Sequence, residues 1–206
     1  MRRERLGELI ANSVSHGLGV AFGVFALVIL VLRADSPEAI AGVLVFSIAL
    51  ILLYGSSTLF HTFPQSMQRV FSVFQRFDHC AIYILIAGTY TPFVLLMAPT
   101  TRGYLLLGIL WGIAILGIIF KAIWIRKFKV FHLFMYLAMG WSVVTIWPDI
   151  QGGISSSVMM FLVLGGFSYT IGIVFYISRF SYAHFVWHIF VLGGSVFHFI
   201  SIYNLV

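Results

Sequence analysis

The chain has 206 residues, of which 61% are hydrophobic and 9% charged, and its mean hydropathy is +1.06. That much apolar surface excludes a soluble domain and specifies an all-α integral membrane protein. Twelve Lys and Arg against six Asp and Glu give a formal charge of +6. In a membrane protein this excess is a topology signal rather than a nucleic-acid footprint, so no nucleic-acid partner is expected.

The N-terminus opens with Arg2, Arg3 and Arg5 before an apolar run. The run from Gly17 to Leu32 is long for a signal-peptide core, and "VLRADS" offers no small-x-small cleavage site. It reads as a retained first span. Six more apolar stretches follow, giving spans near 13–32, 38–62, 77–97, 103–121, 131–147, 156–177 and 182–203. The expected architecture is one seven-helix membrane domain over residues 1–206. The connection over 64–76 has apolar residues at 67, 70, 71 and 74 between Arg69 and Arg76, a pattern for a short interfacial helix.

Basic residues alternate between the two sides. Arg2, Arg3, Arg5, Arg69, Arg76, Lys121, Arg126, Lys127, Lys129 and Arg179 fall on one side, and Arg33 and Arg102 on the other. The positive-inside rule then puts the N-terminus in the cytoplasm and, after seven spans, the C-terminus outside.

Within the spans, Pro92 in "GTYTPF" is expected to kink the third, with Thr89 or Thr91 able to satisfy freed backbone groups. Gly19-x-x-x-Gly23 and Gly108-x-x-x-Gly112 read as ordinary close packing inside the bundle. Cys80, the single cysteine, reads as a small buried residue and rules out an intrachain disulfide.

The alternating topology gathers the polar residues at one face. Ser57 and His61 lie near the cytoplasmic end of span 2, Asp78 and His79 in the first turn of span 3. His184 and His188 open span 7, while Glu8, Asn12 and His16 lie around the start of span 1. His184 and His188 are four apart and share a helix face, as do Ser57 and His61. Three histidines from two helices with a fourth position open is the arrangement of a catalytic zinc site, where a nearby carboxylate orients a bound water. "HFVWH" lacks the glutamate of the zinc-protease motif, so Asp78 is the candidate general base. His198 lies ten residues past His188, about 15 Å deeper, and reads as a hydrogen-bonded bundle histidine. His132, beside "RKFKVFH", reads as interfacial.

The stretches "ELIANSVSHG", "SSTLFH", "FDHCAIYILIAGTYTPF" and "HFVWHIFVLGGSVFHF" resemble the bacterial hemolysin III proteins. These belong to the progestin and adipoQ receptor superfamily, which includes the adiponectin receptors and is related to the alkaline ceramidases. The resemblance spans nearly the whole chain. Its pattern maps onto Glu8, Asn12, Ser15 and His16; onto Ser57, His61 and Asp78; and onto His184 and His188. It implies Zn2+ held by His61, His184 and His188, with Asp78 holding the metal-bound water and Ser57 either behind the ligands or close to substrate. Glu8, Asn12 and His16 would stand behind the ligands. The large N-terminal region of the eukaryotic receptors has no counterpart, so a protein-hormone ligand is not implied.

Three functions follow as expectations. The first is a zinc-dependent hydrolase of acyl amides such as ceramides, in the bacterial cytoplasmic (inner) membrane, with a membrane lipid or acyl-chain substrate. The second is a non-catalytic regulator of membrane lipid or energy homeostasis with a structural zinc. The third is a pore-forming cytolysin, which the lack of a polar lumen in the spans disfavours.

Overall fold

A computed structural model describes residues 6–125, 127–152 and 154–206; Arg2, Arg3, Arg5 and Arg126, four of the cations used to orient the chain, lie outside them. The described residues are all-helical and contain seven helices long and apolar enough to cross a membrane. They are α1 (Leu6–Arg33), α2 (Pro37–Thr62), α3 (Gln68–Met97), α4 (Thr101–Ile123), a broken fifth span, α7 (Ser156–Ile177) and α8 (Ala183–Tyr203). The fifth span is α5 (Lys129–Gly140), a 3₁₀ segment (Ser142–Ile146) and the short α6 (Trp147–Ile150).

Helices are the natural solution because an apolar slab offers no partner for backbone N–H and C=O groups. The helix starts differ between the two ends of the bundle. At one end Ser36, Thr100 and Ser155 each accept a hydrogen bond from the first turn of α2, α4 and α7, the standard N-cap. At the other end α3, α5 and α8 follow Met67, Phe128 and Tyr182, which supply no side-chain cap. Phe128 and Tyr182 both adopt left-handed backbone, at φ 56° and 63°. Among the described residues these are the only non-glycines with positive φ.

The core lies between α1, α2, α3 and α8, with Phe46, Leu50, Tyr54, Leu30 and Ile202 fully buried. A second cluster joins α3 to α4 and the fifth span through Tyr83, Ala87, Leu110, Met139 and Ile150. Lipid is as apolar as leucine, so close packing of small residues drives the association. At Gly42 an added Cβ would stand 2.7 Å from the Pro92 Cα, so α2 and α3 meet at backbone distance. Gly19 and Gly23 likewise receive Tyr54 and Ile51 of α2, as expected of bundle packing. At the far end α1 and α8 are clasped by Arg33, whose Nε donates to the Tyr203 carbonyl at 2.8 Å and whose guanidinium stacks on the Tyr203 ring.

Several expectations need correction. No separate helix lies over 64–76: from Gln68 onward these residues are continuous with α3, because nothing breaks the helix between Gln68 and Asp78. Pro92 lies inside the continuous helix α3, and it is the threonine expectation that fails: Thr89 and Thr91 donate to the Leu85 and Ala87 carbonyls rather than to the Gly88 carbonyl that Pro92 leaves without its N–H. Gly108 and Gly112 meet open space on the outer face of α4, not a neighbouring helix. His132, read as interfacial, does not face headgroups or water: it is buried, 2.7 Å from the Tyr83 hydroxyl.

Candidate metal centre

α1, α2 and α8 pack side by side, and α2 also packs on α3. At their uncapped end this brings His61, His184 and His188 together. One ring nitrogen of each lies within 4.8 Å of the others, so the trio could hold a metal ion. Their ring centroids are 4.6 to 5.1 Å apart. The i,i+4 spacing puts both α8 imidazoles on the face toward α2, and His61 comes from the last turn of α2. No other His, Cys, Asp or Glu among the described residues joins the group.

The donor set suits a borderline metal such as zinc. The His61 Nε2 is buried and has no hydrogen-bond partner, a costly condition for a ring nitrogen unless it serves as a ligand. His188 is oriented from behind. The Ser15 hydroxyl donates to the Asn12 carbonyl at 3.0 Å, so its oxygen is free to accept from Nδ1–H of His188, 3.1 Å away. That arrangement leaves the His188 Nε2 lone pair for the centre, the usual tautomer lock behind a metal-binding imidazole.

The other expected residues take distinct places. His16 lies flat on His188, with centroids 3.5 Å apart and planes 16° apart, and its edge meets Tyr54. Both His16 nitrogens and the Asn12 amide are buried without hydrogen-bond partners. Glu8 sits one helical turn before Asn12, where its Oε1 accepts from the Tyr182 N–H at 3.0 Å. This carboxylate caps α8 from another helix, at the positive end of the dipole, and so fixes the turn that carries His184. Asp78 is partly buried, 3.4 Å from the His79 Nδ1, and neighbours Ser57, whose hydroxyl is buried. His198 stands apart as expected, with Nε2 3.2 Å from the Leu162 carbonyl.

Ser57, Asp78, His184 and His188 form one end of a cavity of about 190 Å³. Its wall is mainly apolar and reaches Met97, Ile146 and Ile150 near the opposite end of the bundle. From Asp78 to Met97 along α3 is about 28 Å at 1.5 Å per residue. Ser15 was legible only as part of a resembling motif; a serine next to a buried histidine carries no signal until α8 is placed against α1.

The family model described as haemolysin-III related matches residues 7–199. The chain is 40% identical over 192 residues to the hemolysin-3 homolog of Bacillus subtilis (strain 168), covering 91% of this chain and 89% of that one. It is 36% identical over 199 residues to hemolysin-3 of Bacillus cereus, covering 95% and 90%. A more distant similarity, 28% over 205 residues, links it to the human monocyte to macrophage differentiation factor, covering 96% and 84%. The chain belongs to the haemolysin-III-related family, as a multi-pass membrane protein with seven candidate spans.

Proposed function

We propose that the protein is a zinc-dependent hydrolase acting on the acyl amide bond of a membrane amphiphile, with its centre at the cytoplasmic face of the inner membrane. The observation that carries this reading is that His184 and His188, which group with His61, also line one end of a long apolar cavity together with Asp78 and Ser57. The centre would hold Zn2+ through His61, His184 and His188, and zinc bound there supplies Lewis acidity toward a carbonyl and an acidified water. The absence of a fourth protein ligand among the described residues supports an open position over a closed structural site.

The chain's own groups divide the remaining work. Asp78 is the acceptor for the proton lost by the attacking water, and returns it to the amine that departs. Ser57, beside it, orients the Asp78 carboxylate or the scissile amide by hydrogen bonding. Ser15 and His16 hold the His188 ring in place from behind, and Glu8 holds the start of α8. The apolar cavity accepts an acyl chain and excludes water from it, which favours a lipid over a soluble amide. The same apolar wall is unsuited to a water-filled pore. The surplus of Lys and Arg at this end supports a cytoplasmic placement.

The deciding experiment combines metal analysis and turnover. Purified wild-type protein should hold about one zinc and cleave a short-chain ceramide or N-acyl amide. His61→Ala and His188→Ala should lose both. Full zinc occupancy in both variants would remove the metal-centre reading. Zinc binding without turnover of any acyl amide would leave a zinc-stapled regulator instead.

A further inference from the structure

We propose that the cleft between α3, α4 and the start of α5 binds a phosphate group carried by an anionic phospholipid of the adjoining leaflet. The proposal is independent of the metal centre. It begins with Lys121, near the end of α4, which is only 3% exposed. Among the described residues its ammonium has neither a carboxylate nor a hydrogen-bond acceptor. The stem is enclosed, but Nζ is not among the atoms sealed from the surface, so an anion arriving from outside can reach it and supply the counter-charge the chain does not.

His132 makes the same demand by a different route. It is 1% exposed, and its Nδ1 lies 2.7 Å from the Tyr83 hydroxyl. That hydroxyl has no other acceptor, so its proton goes to Nδ1, and the ring's own proton resides on Nε2. Nε2 is buried without a partner and is therefore a second donor in need of an oxygen. Tyr83 brings the two helices together here: its ring packs directly on Gly117, one turn before Lys121 on α4, while its hydroxyl meets His132 of α5.

The third contributor is the α5 N-terminus. Phe128 provides no side-chain cap and the first turn contains no acid, so its N–H groups and the positive end of the helix dipole are uncompensated. His132 stands one turn in from that end, its N–H donating to the Phe128 carbonyl at 3.0 Å. α3 offers no acid to the cleft: Arg76 spends its guanidinium on the Ala122 and Ser72 carbonyls, both at 2.9 Å, and Asp78 faces the metal-centre cavity.

Cationic and neutral donors thus meet with no acceptor of their own, and a phosphate, with its several charged oxygens, complements them. The surroundings indicate the source. Phe128, Val130 and Phe131 are 59%, 81% and 55% exposed beside the cleft, apolar side chains suited to lie against acyl tails. A phospholipid satisfies both halves of this surface at once.

The test uses the full-length protein in neutral detergent, stripped of lipid, with the melting temperature read from tryptophan fluorescence. It is titrated with dioctanoyl phosphatidylglycerol, with phosphate-free dioctanoylglycerol and with inorganic phosphate. The expected result is a saturable rise with phosphatidylglycerol alone. Lys121→Met should melt at or above the wild-type temperature without lipid and lose most of the rise, whereas Lys121→Arg should keep it. His132→Phe should also lose it, as a second variant should Lys121→Met fold poorly. Equal shifts from the two lipids, or a full shift in both Lys121→Met and His132→Phe, would overturn the proposal. A full shift from inorganic phosphate alone would overturn the lipid source.

Discussion

The Ser15 hydroxyl of the first helix stands 3.1 Å from the Nδ1 of His188 on the last, closing the back of the metal centre across the whole length of the chain. Because that hydroxyl already donates to Asn12, it can only accept from the imidazole. Ser15→Ala should leave the fold intact and weaken zinc binding by about 10–100-fold, the usual effect of losing a partner behind a ligand. Competition with a calibrated chelator measures this, and unchanged affinity would show that His188 needs no such support.

Glu8 makes a related prediction about stability. Its carboxylate accepts from the Tyr182 N–H, at a helix start with no cap of its own. Glu8→Ala should cost about 1 kcal/mol, as loss of an N-cap does, and lower zinc occupancy through the displaced α8 turn. Glu8→Gln keeps an acceptor oxygen and should cost less. Thermal melts of the three proteins in one detergent give the comparison.

The two glycine pairs should behave in opposite ways. Gly19 and Gly23 receive Tyr54 and Ile51, so Gly19→Leu should overpack the α1–α2 contact by about 1–3 kcal/mol. Gly108→Leu and Gly112→Leu meet open space and should leave the melting temperature of the monomer unchanged. Comparable losses at both pairs would mean that α4 has a neighbour its outer face does not show in a single chain.

Metal removal should be felt as lost stability. A ligand that binds only the folded state stabilises it by about 2.7 kcal/mol at a concentration 100 times its dissociation constant. A chelator should therefore lower the melting temperature of wild type and leave His188→Ala, already without the ion, where it was. Equal responses would place the metal elsewhere.

Orientation can be checked by labelling. Cys80 is buried and contributes little background to a membrane-impermeant thiol reagent. A cysteine placed at exposed Ser66, between α2 and α3, should label only from the cytoplasm, and one at Asp35, between α1 and α2, only from outside. The reverse pattern would invert the proposed topology.

Much of the fold was legible because bilayer thickness imposes a length on every apolar run. The seven spans, the burial of Cys80 and the convergence of His61, His184 and His188 follow from run length, charge alternation and i,i+4 spacing. What was not legible depends on neighbours. The pattern over 64–76 was a helix, but nothing in it revealed that α3 would continue through it without a break. His132 lies beside two lysines and an arginine in sequence, yet its burial is set by Tyr83, forty-nine positions earlier. The lipid-facing placement of Gly108 and Gly112 depends on which side of α4 meets α3, and a helix with apolar residues on every face does not announce that side.

The pairing of the first helix with the last also governs when the centre comes into being. His61 emerges early from the ribosome, but Ser15 and His16 have nothing to hold, and Glu8 nothing to cap, until the final span is made. Metal loading at the proposed centre would thus be a late event in biogenesis. A chain stalled before Ala183 carries His16 and His61 but neither α8 imidazole, so the three-histidine group cannot form in it.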